Sequence, residues 1–215
     1  MKKTIALFVY DPKCSVQSVN GVMKCLSSNY TVKLFSKSEV EDNFFDDVSL
    51  VVFPGGFGDA DSFDTILKPN KDNIIKFVNS GGKYLGICMG AYWAGKHYFD
   101  ILEEVDVVQY IKQKDSCTKR PHAKNIPTNW YNGHYEKMFF YDGPTFVGHG
   151  KYKTIATYDT TGYPMAIRQK NILLIGCHPE SEKFWYDSYS WMKGKYHNGA
   201  HHEILSDIVD ELLEQ

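Results

Sequence analysis

Two short segments constrain this chain most. Leu50-Val51-Val52-Phe53 and Tyr84-Leu85-Gly86-Ile87 are apolar without alternation, and each runs straight into a glycine-containing break: Pro54-Gly55-Gly56 after the first, Cys88-Met89-Gly90 after the second. Apolar runs of this length without a period of two are the mark of strands buried on both faces. Between them, Ile74, Ile75, Phe77 and Val78 recur at helical spacing, with Asn70 placed to cap the helix and Gly81-Gly82 to end it. Strand, helix and strand in that order imply parallel pairing through a right-handed crossover, which requires helices on both faces of a sheet.

The rest of the chain extends this pattern. Thr4 to Tyr10 reads as another buried strand, ended by Asp11-Pro12. Val16, Val19, Val22, Met23 and Leu26 follow at helical spacing, and Tyr30 to Phe35 alternates as a second strand. The acidic run Glu41 to Asp47 reads as a solvated face. From Glu104 onward the texture changes. Val105 to Ile111 is expected as a strand, Lys112 to Pro127 as irregular polar chain, and Trp130-Tyr131-Asn132-Gly133-His134 as an aromatic turn. Lys137–Tyr141, Thr145–Val147, Thr154–Tyr158, Met165–Arg168 and Ile172–Ile175 stand at hairpin spacing, as antiparallel additions to the parallel core. Ile204, Leu205, Ile208, Val209 and Leu212 mark an amphipathic terminal helix. The expected fold is α/β, a three-layer sandwich around a mostly parallel central sheet of flavodoxin-like type. With no linker or repeat in 215 residues, one domain over residues 1–215 is expected.

Composition excludes several classes. A formal net charge of -2 gives no electrostatic reason for nucleic acid or an anionic membrane as partner. Five scattered cysteines with no CxxC pair fit a reducing, cytoplasmic setting and argue against a disulfide framework. The opening Met1-Lys2-Lys3 and the apolar run after it are too short for a signal peptide, and no run reaches the ~18 apolar residues of a membrane span. No cofactor is implied, and the oligomeric state is not encoded.

The candidate chemistry gathers at strand carboxyl ends, where ligands sit in open parallel sheets. Gly86-Ile87-Cys88-Met89-Gly90, between a strand and the helix start Ala91-Tyr92-Trp93-Ala94, has the form of a nucleophile elbow. Ile172 to Cys177 is a buried strand that ends at His178-Pro179-Glu180. A thiol with an ordinary pKa of ~8.5 needs a base to become a useful nucleophile near neutral pH. His178 is placed to supply it, and Glu180 to hold the imidazole in one tautomer. The backbone N–H groups of Gly55, Gly56 and Met89 are candidate oxyanion donors.

The set Phe53-Pro54-Gly55-Gly56, Gly86 to Gly90 and His178-Pro179-Glu180 resembles the class I glutamine amidotransferase superfamily. Within it the chain is most similar to the domain at the amino end of eukaryotic biotin-protein ligases, which also occurs free-standing. That narrower match rests on residues 51–56, 77–94, Tyr131-Asn132-Gly133 and 177–180. The resemblance implies Cys88 as nucleophile, His178 as general base and then acid, and Glu180 as orienter. It implies Gly56 and Met89 as oxyanion donors with Gly55 assisting, and Tyr92, Tyr131 and Asn132 as substrate contacts. The reaction implied is attack on an amide carbonyl, a thioester and its hydrolysis. The chain departs from the superfamily at Tyr92, where true glutaminases usually carry glutamine, and at Ala91, often histidine.

Two readings remain open from sequence. One is a cysteine-dependent amidase acting on a small amide, γ-glutamyl or peptide-like substrate. The other is a non-catalytic ligand-binding or regulatory module, suggested by Tyr92 and the aromatics Trp93, Trp130 and Tyr131. A thiol-based stress protein of a related fold is a minor third, lacking a glutamate placed near the elbow. No metal site is expected: His197, His201, His202 and Glu203 include an i, i+4 pair but no evident third ligand, and read as a solvated helix start. Gly55-Gly56-Phe57-Gly58 lacks the Gly-Lys-Ser/Thr of a phosphate loop.

Overall fold

A computed structural model describes residues 2–9, 16–40, 43–56 and 59–214. In chain order the elements are β1 (Thr4–Phe8), α1 (Val16–Leu26), β2 (Thr31–Phe35), β3 (Val48–Phe53), α2 (Phe63–Ile66), α3 (Lys71–Asn79), β4 (Lys83–Ile87) and α4 (Met89–Trp93). There follow β5 (Val105–Gln109), β6 (Lys124–Trp130), β7 (Tyr135–Phe140), β8 (Pro144–Gly148), β9 (Lys153–Tyr158), β10 (Pro164–Gln169), β11 (Ile172–Ile175), α5 (Lys183–Asp187) and α6 (Ala200–Glu214).

The main sheet has the order β2-β1-β3-β4-β11-β10-β9-β6-β7, and β5 pairs with β8 in a separate ribbon. From β2 to β11 every pairing is parallel; from β11 to β7 every pairing is antiparallel. The alternation of side chains explains the layers. Ile5, Leu7, Leu50, Val52, Leu85 and Ile87 face one core, which α1 and α6 close with Val19, Val22, Leu205 and Val209. Their chain neighbours Ala6, Phe8, Val51, Phe53 and Tyr84 face a second core with Phe63, Ile74, Val78 and Trp93. The central strands β1, β3 and β4 are apolar from their second or third residue onward because there they bury both faces, as the unalternated runs require.

Three details differ from the sequence reading. The strand expected over 105–111 ends at Gln109, and Tyr110–Lys112 is a 3-10 turn. The segment read as irregular up to Pro127 already contains the first half of β6. Pro127 is tolerated because β6 pairs with β9 only from Thr128 onward, and its carbonyl still accepts from Asp159 N. Asn70 stands at the N-cap of α3 but makes no side-chain cap; its amide donates to Lys37 O at 2.8 Å instead. Tyr10, Asp11-Pro12, Glu41 and residues 57–58 lie outside the described residues.

Candidate active site

β3, β4 and β11 are neighbours in parallel register, with Phe53 opposite Gly86 and Ile175 opposite Ile87. Their carboxyl ends therefore deliver Gly55, Cys88 and His178 to one rim of the sheet. Cys88 N–H donates to Ile175 O at 2.8 Å, so the elbow is tied to the strand that leads to the histidine. Cys88 has φ 50° and ψ -101°, a left-handed backbone region that costs a non-glycine residue on the order of 1–3 kcal/mol. Tight packing around the turn holds it there. A Cβ on Gly86 would meet Gly90 O at 2.4 Å, and one on Gly90 would meet Phe53 O at 2.0 Å. Tyr84 Oη donates to Gly90 O at 2.7 Å, and its ring stacks on Phe53 beneath the elbow.

His178 is fixed from three directions. Its N–H donates to Phe139 O at 2.9 Å, its ring packs edge-on against Trp185 with centroids 5.4 Å apart, and its Nδ1 bonds Glu180 Oε1 at 2.9 Å. The Cys88 thiol lies close enough for its charge to act on the ring. Glu180 is fully buried, and Cys88 and His178 are buried at 8% and 6% exposure. Burial works to lower the His178 pKa, but the charge of Glu180, that of an ionised Cys88 and the hydrogen bond to Glu180 outweigh it and raise it to about 10. Among the described residues, Glu180 Oε2 has no hydrogen-bond partner.

The expected oxyanion donors divide. Met89 is the first residue of α4, so its N–H lies outside that helix's own ladder. Gly56 sits half-buried in an isolated bridge. Gly55, by contrast, donates its N–H to Ser18 Oγ at 2.9 Å, which withdraws it from the donor set. Its lack of a side chain has a different use: a Cβ there would meet His178 Cε1 at 2.6 Å. Sequence reasoning missed Ser18, a fully buried serine of α1 that also donates to Glu180 Oε1 at 2.6 Å.

The expected substrate contacts separate as well. Tyr92 remains beside the thiol; burial above all, with the Cys88 and Asp142 charges, pushes its phenol pKa up. Its hydroxyl donates to Asp142 O at 3.0 Å. Tyr131 and Asn132 are not at the site. They form the β6–β7 turn, at the opposite end of β7 from the Phe139 carbonyl that holds His178. Tyr131 bonds Glu211 of α6 and lies under Lys153, and Asn132 Oδ1 accepts from His134 N–H. The aromatics of the second reading do not form one exposed patch either, since Trp93 and Trp130 are both buried.

The histidines near the carboxyl end form a cluster, but not a solvated one. His197 stacks on His201 at 4.0 Å, and His201 is 1% exposed. His197 Nδ1 accepts from the N–H groups of Gly199 and His201, so its Nε2 carries the proton and donates to Ser181 O at 2.8 Å. No group of three His, Cys, Asp or Glu side chains among the described residues is arranged to hold a metal ion. Nor is any described helix long and apolar enough to cross a membrane.

Comparison with known proteins agrees with this architecture. Residues 7–115 match the family described as biotin-protein ligase, N terminal. The match takes in Cys88 and stops short of His178 and Glu180, so geometry alone joins those two to the thiol. No curated protein matches the chain. Over its whole length the chain is similar to a glutamine amidotransferase from Thermotoga maritima, with 13% identity, TM-score 0.73 and 100% of both chains covered. It is also similar to a glutamine amido transferase from Methylobacillus flagellatus, at 12% identity and TM-score 0.58, over 100% of this chain and 90% of that one. At such identities the likeness is one of fold.

Proposed function

The chain belongs to the biotin-protein ligase N-terminal family, and from that premise we propose that it is a cysteine-dependent amidase or related hydrolase acting on a small amide, γ-glutamyl or peptide-like compound. One observation carries this reading: Cys88, His178 and Glu180 are buried together at one rim of the sheet, with His178 hydrogen-bonded to Glu180 and the cysteine held at positive φ. In the proposed reaction the imidazole takes the thiol proton and the thiolate adds to the amide carbonyl carbon. The oxyanion is met by the N–H groups of Met89 and Gly56. Collapse breaks the C–N bond, and His178 passes its proton to the leaving amine. Water, deprotonated by His178, then adds to the thioester and releases the acid and the thiol. Glu180 keeps Nδ1 protonated and balances the imidazolium.

The test is amine release from a panel of γ-glutamyl and short peptide amides, alongside the pH dependence of Cys88 alkylation followed by mass spectrometry. Turnover is expected to vanish in Cys88→Ser with the circular dichroism spectrum unchanged, and the low-pH limb of alkylation is expected to be lost in His178→Ala. Amine release that survives Cys88→Ser sinks the assignment.

Tyr92 favours a second reading, a ligand-binding module. It stands where glutaminases of the superfamily carry glutamine, and its hydroxyl is spent on Asp142 O. An acyl-enzyme trapped on Cys88 excludes it.

A further inference from the structure

We infer that Ser18 is a positioning residue of this site: its single hydroxyl holds both the Glu180 carboxylate and the Gly55 peptide, joining the acid–base chain to the loop after β3. The inference rests on the amidase reading and extends it to a residue from outside every motif of the site. Glu180 Oε1 is shared by two donors, Ser18 Oγ–H at 2.6 Å and His178 Nδ1–H at 2.9 Å. The Ser18 oxygen in turn accepts Gly55 N–H at 2.9 Å. The same peptide that packs against the His178 ring through its missing Cβ is thus aimed by the atom that holds the ring's carboxylate.

The helix is built for this contact. Gly21, one turn beyond Ser18, packs so closely that a Cβ would meet Glu180 O at 2.2 Å. Cys25, one turn further, is close enough for Glu180 to act on its thiol. Three residues on one face of α1 are therefore turned toward a carboxylate more than 150 positions away, and all three are buried. Among the described residues that carboxylate has two polar partners, Ser18 and His178. Cys25 from α1, Cys177 before the histidine and Tyr186 from α5 are all pushed up, mainly by burial, and stay neutral. The Lys24–Glu182 pair lies at the surface, and His197 and His202 bond Ser181 O. Cys88 faces the histidine. Without the Ser18 hydroxyl the carboxylate keeps one donor, and Gly55 N–H loses its acceptor. The loss frees both the Glu180 carboxylate and the Gly55 peptide to shift, and so loosens the carboxylate's hold on His178.

The experiment is the pH profile of Cys88 alkylation in wild type, Ser18→Ala and Ser18→Cys, with thermal melts of each. Ser18→Cys keeps nearly the same volume with a weak donor, so it reads the hydrogen bond even where Ser18→Ala does not fold. The low-pH limb is expected to move up by about one pH unit, a tenfold loss of rate on that limb, in both variants. On a Glu180→Gln background, Ser18→Ala is expected to add no further shift. A limb that stays in place while the melting temperature falls would make Ser18 a purely structural contact and overturn the inference. A wild type with no His178-dependent limb removes the amidase reading itself, a separate outcome.

Discussion

Gly55 shows how little space separates packing from chemistry. Its Cα faces the His178 ring, and its N–H is already committed to Ser18. In Gly55→Ala the new methyl must displace either the imidazole or the loop. Overpacking of this kind costs roughly 1–3 kcal/mol, and a misplacement of about 1 Å at a reacting group costs on the order of 10²-fold in rate. The expected result is a folded protein whose Cys88 alkylation profile matches that of His178→Ala. An alanine variant with the wild-type profile would show that the ring has room to spare.

Among the elements, the start of α6 is the least expected. His197 acts as a capping residue: its Nδ1 accepts the N–H groups of Gly199 and His201, while its Nε2 anchors the helix to Ser181, next to Glu180. Losing such a cap costs about 1–2 kcal/mol, which for a chain of this size lowers the melting temperature by a few degrees. That drop is expected for His197→Ala, measured by thermal denaturation at pH 7. The β6–β7 turn, in contrast, is secured by Tyr131 to the far part of α6, and serves the edge of the sheet rather than the thiol.

For the molecule as a whole, the buried His178 and His201 and the half-buried His197 pull stability in opposite directions with pH. Burial first, then the neighbouring histidines, lowers His197 to about 3 and His201 to about 4. Between those values and the ordinary ~6.5 of free histidine, the unfolded chain binds protons that the folded chain refuses. Stability from these two is present above pH 6.5 and is lost as pH falls toward 4 and 3. His178 is raised to about 10, so its contribution is full below pH 6.5 and is lost as pH rises through 10. The melting temperature is therefore expected to peak near pH 6.5, and His178→Ala to flatten the alkaline limb only. A wild-type melting temperature that does not fall between pH 6.5 and 10 would contradict the raised value.

Much of this molecule could be read from its residues alone. Unalternated apolar runs specify strands buried on both faces, and small residues around Cys88 specify a turn too tight for side chains, so the parallel core, the elbow and the terminal helix were all legible. Local chemistry misled where its meaning depends on distant partners. Tyr131 and Asn132 carry a family-like motif, yet which end of a strand a turn occupies depends on the direction of its neighbours. Ser18 reads as an ordinary polar position in a helix, and His201 in the first turn of α6 as solvated, because nothing nearby in sequence shows what buries them. Periodicity and turn residues by themselves determined the elements, since those rest on forces within a few residues. Only the tertiary structure decided that Ser18, Gly55, His178 and Glu180 share one hydrogen-bonded network beside Cys88, because the order and register of β3, β4 and β11 and the packing of α1 on them bring these residues together.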